Sequence, residues 1–194
     1  MSVLILVRHG RTGFNASGRL IGRLDPPLDE VGLTQAAAIG EALKGVDRVI
    51  SSPLRRALET AEYIGAPVEV DDRWIEVDYG AYDGVELGTP AATELWERWR
   101  VDTAFVPLGG ESLVQMGERV AAAMQELVKE AGETDIAVVS HVSPIKAAVA
   151  WAVGAGDDAP WRMFLDVAAI SRIAVGPHGP SLRSFNETGH LAGL

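Results

Sequence analysis

Val3-Leu4-Ile5-Leu6-Val7-Arg8-His9-Gly10-Arg11-Thr12 begins with an unbroken apolar run and ends in two basic side chains, a histidine and a glycine. Five consecutive apolar residues without alternation predict a short strand buried on both faces, as in a parallel sheet covered by helices. Similar runs lie further along the chain. Val46–Ser51 leads into Ser52-Pro53-Leu54-Arg55-Arg56, Val68–Val70 is a third short strand, and Ile136–Ser140 leads into His141. Helical stretches separate them. Gly32-Leu33-Thr34-Gln35 enters Ala-rich sequence to about Lys44. Ser52, with Pro53 in the first turn, is predicted to cap a helix to about Ile64. Further helices are predicted at 91–100, from Leu113 (capped by Ser112) to about Ala131, and over Pro144–Val153. Two late strands, Ile170–Val175 and Leu182–Phe185, flank a Gly-Pro-His-Gly-Pro turn and read as an antiparallel edge. The fold class is therefore α/β: three layers, α/β/α, around a mostly parallel central sheet with an antiparallel edge. No repeat or linker interrupts it, so residues 1–194 are expected to form one domain.

Composition narrows the function. Of 194 residues, 47% are apolar and 23% charged, and the net charge is −10, which speaks against a general nucleic-acid or anionic-membrane surface. The absence of cysteine removes disulfides, thiolate zinc sites and cysteine-based phosphatase chemistry. The first residues have no basic leader, so a cytoplasmic location is expected. Fourteen of the 17 bases are arginine, and Arg8, Arg11, Arg19 and Arg23 all precede residue 24. A GC-rich genome would produce such a bias without function. A local anion site would also produce it, because guanidinium forks bind phosphate bidentately.

His9 and His141 each follow a predicted strand, and ligands of open α/β sheets bind at the carboxyl ends of strands. Both rings are thus expected in one crevice, with Arg8 beside one of them. The helix after Ser52 would present backbone N–H groups to the same space, with Arg56 one turn in. Glu76, among Trp74, Ile75, Val77 and Tyr79, has the apolar surroundings that raise a carboxyl pKa and suit a proton donor. Asp71, Asp72, Asp78 and Asp83 are its rivals nearby, whereas His178 and His190 read as solvated.

Arg8-His9-Gly10-Arg11-Thr12-Gly13-Phe14-Asn15 resembles the signature of the histidine phosphatase superfamily, which includes the cofactor-dependent phosphoglycerate mutases. Gly22 to Leu28, Ser52 to Ala61, Glu76 to Gly84, Gly110-Glu111-Ser112 and Ser140-His141 follow in family order. The resemblance implies a phosphoglycerate mutase-like fold and metal-independent hydrolysis of phosphomonoesters through a phosphohistidine on His9. Arg8, Arg56 and His141 would surround the phosphoryl group, and Glu76 would protonate the leaving oxygen. Thr12, Asn15, Ile21, Gly22 and Val142 would add substrate contacts. Neither cofactor nor metal is implied. The partner would be a small phosphorylated metabolite, and a homodimer is compatible with this reading. Run 140–146 looks closest to actinobacterial acid phosphatases and α-ribazole-phosphate phosphatase-like proteins. Arg11 and Val142 depart from the commoner family residues at positions expected to line the pocket.

Two other functions compete. A cofactor-dependent phosphoglycerate mutase would need cover over the site and cations for a second anionic group. The segment between Glu76 and Glu111 is compact and lacks lysine, but it carries Arg98 and Arg100 beside Trp96 and Trp99. The plainer expectation is that the tryptophans pack and the arginines face water. A phosphoester-binding pseudoenzyme is the other class, opposed by the presence of every reactive residue.

Overall fold

The computed structural model describes residues 2–132, 134–156 and 158–194. Six strands form one sheet in the order β3-β2-β4-β1-β5-β6. They are β1 (Ser2–Arg8), β2 (Arg48–Ser51), β3 (Val68–Val70), β4 (Ile136–Ser140), β5 (Ile170–Gly176) and β6 (Gly179–Glu187). The pairs β3/β2, β2/β4 and β4/β1 are parallel, and β1/β5 and β5/β6 are antiparallel. The helices are α1 (Gly13–Ala16), α2 (Glu30–Ala42), α3 (Arg55–Ala61), α4 (Pro90–Val101), α5 (Leu113–Glu130) and α6 (Val142–Ala152). This is the expected three-layer arrangement with its antiparallel edge, and α1 is an element that the apolar pattern did not signal.

The side-chain period of two explains the layers. Leu4 and Leu6 of β1, with Ile136 and Val138 of β4, join a core completed by Met116, Val120, Met124 and Leu127 of α5 and Ile145 and Val149 of α6. Ile5 and Val7, with Ala137 and Val139, face the other way onto Ile39 of α2 and Ala57 and Ala61 of α3. Both faces of β1 and β4 are therefore dry, as their unbroken apolar runs require. Among the described residues, no helix is long and apolar enough to cross a membrane.

One expected cap differs. Helix α3 begins at Arg55, and its N-cap, Leu54, makes no side-chain capping bond. The Ser52 hydroxyl accepts from the Leu54 amide at 3.3 Å and bonds His141 Nε2 at 2.6 Å. It is thereby committed to the two-residue turn before the helix and to the site.

The start of α2 is pressed against the loop after β1. A Cβ on Gly10 would lie 2.6 Å from the Gly32 carbonyl oxygen, and one on Gly32 would collide with the carbonyl oxygen of Arg11. The neighbouring atoms are backbone and cannot rotate aside. Gly32→Ala is expected to cost about 1–3 kcal/mol through overpacking. It should also displace the loop holding His9, so urea denaturation and turnover should both register the change.

Candidate active site

Strand register brings the two histidines together. Arg8 pairs with Ser140 across the parallel β1/β4 ladder, and the His9 amide donates to the Ser140 carbonyl at 3.0 Å. The next residue on each strand is a histidine, and the two ring centroids lie 5.0 Å apart. Both rings are buried. Burial, followed by the Arg56 charge, holds both pKa values well below the usual histidine value, so both are neutral near pH 7.

The His9 ring has a defined tautomer. Nδ1 lies 2.7 Å from the Gly10 carbonyl oxygen, which can only accept, so Nδ1 carries the proton. Nε2 accepts from Arg56 Nε at 3.3 Å. Both contacts leave Nε2 as the nitrogen with the lone pair. Arg56 is wholly buried, and its remaining arms donate to the carbonyls of Leu24 at 2.7 Å and Gly22 at 3.0 Å. Arg8 donates to the Leu165 carbonyl at 2.6 Å. Enclosure by protein lowers its pKa to about 10, which leaves it charged at neutrality. Arg8 Nε and His141 Nδ1 are buried polar atoms without a hydrogen-bond partner among the described residues.

Glu76 follows the Trp74 turn and is buried, 4% exposed. Its Oε1 accepts from the Val77 amide at 2.8 Å. Desolvation raises its pKa, against the opposing pull of that amide, the Ser143 hydroxyl and the two arginines. Arg8, His9, Glu76, Asn15, Ile21 and Val142 all line one pocket of about 860 Å³.

The other residues expected to meet substrate divide. Asn15 Oδ1 is held by the Thr12 amide at 3.0 Å and the Thr12 hydroxyl at 2.9 Å, which leaves the Asn15 amide nitrogen as its remaining donor. Thr12 itself is fully buried and acts as the cap of α1. The structure also does not bring the Gly22 amide to the pocket. It donates to Asp83 Oδ1 at 2.7 Å, while Asp83 Oδ2 accepts from the amides of Arg23 and Leu24. Asp83 thus ties down the loop whose carbonyls hold Arg56, a role its loop setting did not signal. Arg11 is drawn away from the pocket by Asp29, the cap of α2, at 2.8 Å. His178 is exposed as expected, but His190 is half-buried, because its Nε2 bonds the Ala168 carbonyl at 3.0 Å.

The profile of the histidine phosphatase superfamily (branch 1) matches residues 4–188. The chain belongs to this superfamily. A bifunctional protein of Mycobacterium tuberculosis is 37% identical over 198 residues, 97% of this chain and 54% of its own length. The chain thus spans about half of that relative. Phosphoserine phosphatase 1 of Hydrogenobacter thermophilus is 35% identical over 200 residues, covering 98% of this chain and 95% of the relative. Among solved structures, a mutant phosphoserine phosphatase of Entamoeba histolytica in complex with phosphoserine has a TM-score of 0.90. Its identity is 28%, over 98% of this chain and all of the other.

In this member of the superfamily, Arg98 pairs with Glu94 at 2.8 Å and lies over Phe105, clear of the pocket. Trp99 is buried, as its expected packing role requires. Arg100 is exposed, as expected, and it also lines the pocket mouth, 5.3 Å from the Trp161 ring centre.

Arg119, on α5, is a residue that sequence reasoning passed over. It grips Glu111 with two nitrogens, at 2.7 and 2.8 Å, and donates to the carbonyls of Arg73 at 2.6 Å and Glu76 at 3.3 Å. It therefore splints the backbone of the turn that carries the carboxylic acid. Arg119→Met should lower stability by about 1–3 kcal/mol, since it strands partly buried acceptors. Urea denaturation measures the loss, and kcat should fall with it.

Proposed function

We propose that the chain, as one histidine phosphatase domain, hydrolyses small phosphomonoesters through a phosphohistidine on His9. The observation that carries this reading is the Nδ1 bond to the Gly10 carbonyl, with Arg56 Nε on the opposite nitrogen. Together they orient an unprotonated Nε2 beside two guanidinium groups. Nε2 would attack phosphorus while the ester P–O bond breaks and Glu76 gives its proton to the leaving oxygen. Water would then attack the phosphohistidine, losing a proton to the Glu76 carboxylate as the P–N bond breaks and phosphate departs. Arg8, Arg56 and the unpartnered Nδ1 of His141 would hold the equatorial oxygens. The Asn15 amide and the backbone at Val142, in the first turn of α6, add to that cradle. The phosphatase relatives support hydrolysis, and the phosphoserine bound to one of them supports a small phosphorylated substrate.

The test is phosphate release from a panel of monoesters at pH 5–8 in EDTA, with 3-phosphoglycerate assayed in parallel for conversion to 2-phosphoglycerate. Metal-independent release is expected. Isomerisation outrunning hydrolysis would make the chain a mutase, and binding without turnover would make it a phosphoester-binding module.

A further inference from the structure

Val142, Ser143, Lys146, Ala147, Ala150 and Trp151 of α6 line the pocket. Their spacing, alternating steps of one and three, is that of a single helix face. The face begins beside His141, at the phosphoryl end of the pocket. Lys146 stands four residues on, about 6 Å along the helix axis.

Its ammonium group makes no hydrogen bond or ion pair among the described residues. Elsewhere in this acid-rich chain Arg11, Arg23, Arg48, Arg55, Arg73 and Arg119 all reach a carboxylate. Lys146 is half-buried beside Ala147, Ala150 and Trp151, so water solvates it poorly. The charged groups that act on it are Arg8 and Glu76, and burial together with Arg8 lowers its pKa. An anion in the pocket would relieve that penalty. Glu76 cannot serve as that anion in the proton-donating state the proposed reaction requires.

Building on the phosphohistidine reading, we infer that Lys146 binds a carboxylate of the substrate, one helical turn from the phosphoryl site. The preferred substrate is then a short phosphomonoester bearing a carboxylate. A second phosphate is a poorer match, because its double charge needs more donors than one ammonium supplies. Arg100, also without a carboxylate partner among the described residues, lies exposed at the mouth and stacks on Trp161, so it suits a more distant group.

The experiment compares kcat/KM for 3-phosphoglycerate and glycerol 3-phosphate, which differ only by carboxylate against hydroxymethyl. p-Nitrophenyl phosphate is included to register hydrolysis itself. The wild-type ratio of 3-phosphoglycerate to glycerol 3-phosphate should exceed about 10, the scale of one charge-assisted hydrogen bond. In Lys146→Gln the ratio should drop about 10- to 100-fold, and Lys146→Arg should restore most of it. A wild-type ratio near one overturns the inference. So does an unchanged ratio in Lys146→Gln, or a collapse produced by Arg100→Gln instead. If none of the three esters is hydrolysed, the phosphatase reading fails first and takes the inference with it. Hydrolysis without the carboxylate preference defeats the inference alone.

Discussion

His9→Ala is expected to abolish phosphate release from every monoester, by roughly 10³-fold or more, because a nucleophile has no substitute in a covalent mechanism. The loss should appear in kcat. Arg8, Arg56 and His141 stay in place to bind the phosphoryl group, so phosphate affinity should survive in the variant. Folding should survive as well, since the side chain is held within the protein by one bond to Gly10 and one from Arg56. A labelled substrate quenched in alkali should leave an acid-labile phosphoryl group on the wild type and none on the variant. Label retained by His9→Ala, or turnover close to wild type, would mean that Nε2 of His9 is not the attacking atom.

Glu76→Gln should lower kcat by about 10²- to 10⁴-fold, the usual worth of general acid–base catalysis. The loss should be deepest for alkyl esters, whose leaving oxygen needs a proton, and shallower for p-nitrophenyl phosphate. The pH profile gives a second signature. His9 is held neutral to well below its ordinary pKa, while Glu76 keeps its proton above its ordinary value. Turnover should therefore hold steady through mildly acidic pH and decline as pH rises through the elevated Glu76 pKa. The variant should lack that alkaline decline.

The same shift has a cost in stability. Between the ordinary carboxyl pKa and the raised one, the folded chain binds a proton at Glu76 that the unfolded chain has released. Linkage then makes this contribution fall as pH rises through that window. Glu76→Gln removes the slope, so its thermal midpoint should gain on the wild type as pH rises above the ordinary carboxyl value of about 4.3. A pH-independent difference in midpoint would argue against a buried, proton-retaining Glu76.

Much of this was legible in the chain because local pattern and burial agree. The runs 3–7 and 136–140 are apolar without alternation, and a strand covered on both faces needs that. The residues that follow them are at strand ends by construction, so His9 and His141 could be expected in one crevice before any coordinates. Glu76 was readable from its bulky neighbours, since desolvation acts over the few residues that enclose a carboxyl group.

Other features depended on partners distant in sequence. Ser52 has the chemistry of a helix cap, but His141, 89 positions away, claims its hydroxyl. His190 looked solvated until its turn folded against Ala168. The Gly22 amide was available in principle, and Asp83, 61 positions on, takes it. Arg119 had no local signal at all, because two of its four bonds go to backbone carbonyls 46 and 43 positions away and the other two to Glu111, eight positions before it. By itself the sequence determined the layered α/β fold, the two strand-end histidines and the acid among apolar neighbours, since each rests on periodicity or near neighbours. Tertiary structure alone decided which polar groups are spent within the protein and which, such as Lys146, are left facing the pocket. Hydrogen-bond partners are chosen by proximity in space, which strand register and helix packing create and sequence separation does not reveal.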